Sequence, residues 1–191
     1  MVKKIKRQSG PMSSIPIKMD SIIKHYFDRY RIQGKLPPII QSQIKGKLAV
    51  DMPKTLKIED KNGIILWGRP DDYFRINNEY IVAFDHKTKS KKPEDIHSAY
   101  QLQLNVYSYL LQKLGYKTIN KAFLAFYYPD ECDLHNGMPF KCTIIEVETN
   151  HKEVETLLKK AYNILNGPVP KANKDCEYCK WIDQIQKEDL R

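Results

Sequence analysis

The chain has 191 residues and a mass of 22.4 kDa, enough for one domain with a core of its own. No apolar run approaches a membrane span, and no apolar stretch follows the basic opening MVKKIKR, so a soluble, cytoplasmic protein is expected and a membrane role is excluded. A formal charge of +9, from 32 Lys and Arg against 23 Asp and Glu, favours a polyanionic partner such as nucleic acid.

Residues 1–17 carry Lys, Ser and Pro without periodicity and read as a flexible basic arm; 18–191 read as a single domain. Asp20 can cap a helix in which Ile22, Ile23, Tyr26, Phe27 and Tyr30 recur at helical spacing, with Gly34 and Pro37-Pro38 as its stop. His25 lies off that stripe. Ile40, Ile44 and Leu48 fit a short helix. Leu56 and Ile58 mark a strand, and Lys61-Asn62-Gly63 predicts a type I′ turn into a return strand over 64–76. Pro70 inside that strand predicts an edge or a bulge, and Gly68 a close backbone approach. Asn77-Asn78 predicts a second turn. After it, Val82, Phe84 and His86 alternate with Ala83, Asp85 and Lys87 in a buried strand. A basic loop follows, then a helix opening at Pro93-Glu94-Asp95 and running to about Leu114 on the stripe Tyr100, Leu104, Tyr107, Leu111, Leu114. Strands are expected over 119–128 and 140–148. Asn150, with Glu153 at the capping-box position, starts a last helix whose expected buried stripe is Val154, Leu157, Leu158, Ala161, Ile164 and Leu165. This order predicts the α/β class: a central mixed sheet flanked by helices.

The chemistry gathers at the second turn. Strand alternation puts Asp85 and Lys87 on one face and His86 on the other. The hairpin brings Asp71 across from Asp85. Two carboxylates make a hard, oxygen-rich site suited to Mg²⁺ or Mn²⁺. Such an ion polarises a phosphate and acidifies a bound water, while Lys87 can orient that water or stabilise the transition state. Each Asp taken singly reads as a turn or surface residue; the three groups closing one apolar run point to phosphodiester hydrolysis. Arg69 and the loop residues Lys89, Lys91 and Lys92 would draw phosphates to the spot. Gln103 and Tyr107, four apart, share a helix face.

Pro70-Asp71 followed by Asp85-x-Lys87 resembles the signature of the PD-(D/E)XK nucleases. Gly68-x-x-Asp71, the run Phe84-Asp85-His86-Lys87-Thr88 and Gln103-x-x-x-Tyr107 look most like the RecB-type branch, which includes helicase-linked exonuclease domains and CRISPR-adaptation nucleases. The resemblance is clearest from Trp67 to Leu111. It implies a restriction-endonuclease-like core and an exonuclease acting on single- or double-stranded DNA ends. It implies Mg²⁺ or Mn²⁺ held by Asp71, Asp85 and the His86 carbonyl, with Lys87, Gln103 and Tyr107 completing the catalytic set. A further upstream His or Glu ligand is implied, for which His25, Asp51 and Glu59 are candidates. The sequence has no Walker A pattern, so a helicase or other repair or defence partner would be a separate protein. Cys176-x-x-Cys179 is similar to the C-terminal pair that holds an iron–sulfur cluster in some RecB-type nucleases. The other two expected cysteines are missing, and Cys132 and Cys142 lie elsewhere. A metal-free remnant is therefore expected over a Cys₄ zinc or iron–sulfur site. Two other readings stay open: a non-catalytic nucleic-acid clamp within a repair or defence complex, and a Cys₄-metal scaffold.

Overall fold

The middle strand of the main sheet is the alternating run read above, β5 (Tyr80–Thr88), in the computed structural model, which describes residues 13–188. It pairs antiparallel with β4 (Asp72–Ile76), with Asp72 opposite Phe84 and Ile76 opposite Tyr80. Asn77 and Asn78 join them at φ 50° and 60°, a left-handed conformation that Asn tolerates better than most residues. On its other side β5 runs parallel to β6 (Lys121–Pro129). A parallel pair needs a crossover, and the helix α3 (Ser98–Lys113) supplies it. β7 (Phe140–Glu148) adds antiparallel to β6, and the two-residue β1 (Lys47–Leu48) edges β4, giving the order β1-β4-β5-β6-β7.

Both faces of this sheet are covered, because period-2 alternation sends apolar side chains both ways. Ile81, Ala83, Leu124 and Phe126 meet Leu104, Tyr107, Leu110 and Leu111 of α3. Phe74, Val82, Phe84 and Phe123 meet Ile23 and Phe27 of α1 (Ser14–Ile32) and Ile40 of α2 (Pro38–Gln41). A separate two-stranded ribbon, β2 (Leu56–Glu59) with β3 (Ile65–Gly68), lays Leu56 and Leu66 on the α3 side. After β7 come α4 (His151–Asn166) and α5 (Glu177–Glu188).

Several expectations give way. The strand expected over 64–76 is two strands in two sheets, broken at Arg69-Pro70-Asp71, where proline can donate no ladder hydrogen bond. α1 begins at Ser14, six residues before Asp20, so 14–17 of the expected arm are helical and 1–12 lie outside the described residues. The Ile40–Ile44–Leu48 helix shrinks to one turn, and Leu48 joins β1. The β2–β3 turn is not type I′: Gly63 alone is left-handed there, while Asp60 accepts from the main-chain N–H groups of Asn62 and Ile64. α3 opens at Ser98 with the His97 imidazole accepting from Ala99 N–H, rather than at Pro93. In α4 only Val154 of the expected stripe is buried; Leu157, Ile164 and Leu165 are exposed. Its capping box is shared out. Asn150 accepts from Lys152 and Glu153, but Glu153 receives the side chain of Asn105, whose oxygen takes the Asn150 N–H.

Candidate active site

The break between β3 and β4 and the C-terminal half of β5 form one side of the site; α3 forms the other. The β4–β5 register, continued one residue past Asp72 and Phe84, sets Asp71 opposite Asp85. Asp71 Oδ2 accepts the His86 main-chain N–H at 3.0 Å, which fixes the first carboxylate against the strand that carries the second. Asp85 and Lys87 share the α3 face as alternation requires, and their side chains are in contact. Asp85 is buried, and among the described residues its Oδ2 meets no hydrogen-bond donor apart from the Lys87 ammonium. Burial, and then the charge of Asp71, push the Asp85 carboxyl up to about 6, against the pull of Lys87.

Lys87 is placed by α3. Its Nζ donates to Gln103 Oε1 at 2.9 Å, Gln103 Nε2 donates to the Tyr107 hydroxyl at 2.7 Å, and that hydroxyl donates to the Arg69 carbonyl at 3.1 Å. The chain of hydrogen bonds therefore returns to the backbone two residues before Asp71. Gly68 explains how α3 comes so near: a Cβ there would stand 2.7 Å from Tyr107 Cε1. Burial pushes the Tyr107 phenol up to about 12, so the hydroxyl stays a donor at neutral pH.

His86 turns its imidazole away from this pocket, which leaves only its main chain on the site. The ring is buried against Phe27, centroids 4.5 Å apart. Its Nε2 donates to Asp72 Oδ2 at 3.1 Å, and its Nδ1 meets the Tyr127 hydroxyl at 3.0 Å. Asp72 is also paired with Arg31 of α1. Sequence reading missed this layer. The signal was available: Asp72 follows Asp71, so it must face the opposite side, diagonal to His86.

Of the basic residues, Arg69 is exposed beside Asp71, in a cleft of about 560 Å³ that Lys24, Arg31 and Lys54 also line. Lys24, which was not singled out, places Nζ 3.7 Å from Asp71 Oδ1 and 2.8 Å from Asp20. It reaches the site from α1, whereas its neighbour His25 is exposed and bonded to the Ser21 carbonyl at 2.8 Å. Lys89 lies over the Tyr100 ring, as Lys87 does, at 4.9 and 5.0 Å. Lys91 pairs with Glu94, and Lys92 is exposed. The loop thus flanks the far side of Lys87 from the cleft.

The cysteines do not gather. Cys142 sits in β7 opposite Tyr127, Cys132 is exposed before β7, and Cys176 and Cys179 flank the start of α5 rather than lying in a loop. All four are free thiols, and among the described residues no three His, Cys, Asp or Glu side chains converge as a metal site.

The mixed five-stranded sheet flanked by helices makes this a restriction-endonuclease-like α/β fold. The family model of the PD-(D/E)XK nuclease superfamily matches residues 18–184, and the chain belongs to that superfamily. That superfamily is one of nucleases, hydrolases of nucleic acid. Among solved structures, the crystal structure of SSO0001 is similar at 16% identity and a TM-score of 0.45, over 86% of this chain and 63% of that one. The chain thus spans less than two thirds of that protein's length. No curated protein matches the chain. Among the described residues, no helix is long and apolar enough to cross a membrane.

Proposed function

We propose that the chain is a divalent-metal-dependent deoxyribonuclease that hydrolyses phosphodiester bonds from DNA ends, within the RecB-like branch of its superfamily. The observation that carries this reading is the buried Oδ2 of Asp85, which lies beside a second carboxylate and, among the described residues, lacks a donor other than Lys87. Such an atom suits a hard cation. Asp71, Asp85 and the His86 carbonyl would hold Mg²⁺ or Mn²⁺. When bound, the ion would supply Lewis-acid polarisation of the phosphate and a more acidic water. The protein's own share is positional. Lys87, tethered by Gln103, presents its ammonium to charge developing on the phosphate, and the Tyr107–Arg69 link holds that tether to the Asp71 turn. Exonuclease action follows the RecB-type resemblance, as does a separate helicase or other repair or defence partner. A cytoplasmic location accords with four free cysteines.

A second reading, the non-catalytic nucleic-acid clamp, draws on Lys24. With Lys24 near Asp71 and Lys87 on Asp85, each carboxylate already has a cation of the protein's own. Cleavage of end-labelled linear and circular DNA, single- and double-stranded, with Mn²⁺ or Mg²⁺ separates the two. The nuclease cuts only with metal, and Lys87→Ala and Asp85→Ala each reduce cutting by about 100-fold or more while remaining folded. Uptake of linear but not circular substrate marks the exonuclease. Binding without cutting in the wild type, or equal cutting by the variants, would leave the clamp.

A further inference from the structure

The β2–β3 ribbon has an inner and an outer face. Leu56, Ile58, Leu66 and Gly68 point inward to α3. Outward point Lys57, Glu59, Ile65 and Trp67, and Trp67 is 60% exposed. A tryptophan left in water costs the fold apolar burial, and with Ile65 also exposed beside it on the outer face the ribbon presents an apolar patch that a partner could cover. Charge states what kind. Lys57 stands directly across the ribbon from Trp67, Arg69 follows two residues later, and Lys54 precedes β2 on the rim of the cleft. Among the described residues, none of these three cations has an ion-pair partner. At the opposite end of the ribbon Glu59 faces Ile65 and Asp60 closes the turn beside Lys61. The ribbon is therefore cationic and aromatic at the end nearest Asp71 and of mixed charge at the far end.

We propose that Trp67 is a base-stacking platform, and that Lys54, Lys57 and Arg69 carry the phosphates of a single strand leading along the ribbon into the Asp71–Asp85 site. An indole face in solvent pairs with a nucleobase face through stacking, and basic residues beside it track the backbone without reading sequence. A base inside a duplex already has both faces covered, so the platform selects a single strand or an unpaired end. Trp67 is four residues from Asp71, at most about 14 Å of extended chain, which a stacked strand crosses in about four nucleotides at about 3.4 Å each. The inference rests on the nuclease reading only for where the strand leads; the platform itself is tested without catalysis.

The chain has two tryptophans, Trp67 and Trp181, so Trp181→Phe leaves Trp67 as the sole indole reporter. In EDTA, a short oligothymidylate should quench Trp67 emission in that variant, and a blunt duplex of the same length should not. By anisotropy with the labelled oligonucleotide, Trp67→Ala should weaken binding about tenfold, and Trp67→Phe, which keeps a ring, by much less. Lys57→Ala should flatten the dependence of log affinity on log salt by about 0.7, one single-strand phosphate contact. Unquenched emission with the oligonucleotide bound, unchanged affinity in Trp67→Ala, or equal quenching by duplex each overturns the proposal. Metal-dependent, Lys87-dependent cutting alongside such a failure leaves the nuclease reading standing. Quenching without any cutting does the reverse.

Discussion

Asp85 is held where its charge is costly, and that cost has a pH signature. Its carboxyl titrates near 6 in the folded chain, while an unfolded Asp titrates near 3.9. Because the folded value is the higher one, the contribution to stability is fully present below about pH 3.9 and is lost as pH rises through about 6. The loss is on the order of 2 to 3 kcal/mol by pH 7. Asp85→Asn removes the titration, so in EDTA its melting temperature should gain on the wild type between about pH 4 and pH 7, whatever the offset at pH 4. Parallel melting curves across that range would mean that the carboxylate is not held at that cost. Tyr107 sits one hydrogen bond behind Gln103, which holds Lys87. Tyr107→Phe keeps the ring packed but releases both Gln103 and the Arg69 carbonyl. The expected result is a kcat about tenfold lower or less, with a stability loss of only about 1 kcal/mol. An unchanged kcat would show that Lys87 does not depend on this tether.

Elements meet at Gly68 and Asp72, which bracket the break in the chain. Gly68→Ala pushes a methyl group into the Tyr107 ring, so α3 must lift or the ribbon must slide. Stability should fall by about 1 to 3 kcal/mol, and cutting should fall further because the Gln103–Lys87 tether moves with α3. Asp72→Ala strips a buried carboxylate from between Arg31 and His86 and should lower unfolding free energy in denaturant by about 3 kcal/mol. These elements also show what the sequence could and could not reveal. β5 was legible because a buried central strand keeps strict alternation, and the placing of Asp85 and Lys87 followed from that alone. α3 was legible from its stripe, as were the two Asn residues of the second turn. The division of 64–76 was not legible, because a proline forbids one ladder hydrogen bond without saying that the chain then changes sheets. Nor was the exposed stripe of α4, since helical periodicity states that a helix has an apolar side but not what covers it. Lys24 carried no signal either. Only the docking of α1 through Ile23 and Phe27 on the sheet turns that surface lysine toward Asp71.

At the scale of the whole molecule, two groups of basic residues stand on either side of the candidate site, and the two should behave differently. Lys24, Arg31, Lys54 and Arg69 line a cleft with Asp71, whereas Lys89 and Lys92 belong to the loop beyond Lys87. Lys89 rests on Tyr100, Lys91 is held by Glu94, and Lys92 has no ion-pair partner among the described residues. If the loop steers substrate rather than gripping the reacting phosphate, Lys89→Ala with Lys92→Ala should lower kcat/KM several-fold in low salt, leave kcat unchanged, and lose its effect as salt rises. Lys91→Ala should do least, because its charge is already answered by Glu94. The salt dependence of binding should flatten by about 1.4 for the double variant on a single strand, about 0.7 for each phosphate contact removed. Steady-state rates from low to physiological salt decide the matter. A drop in kcat that persists at high salt would move the loop from steering to the reaction itself, and an unaltered slope would take it out of the nucleic-acid path.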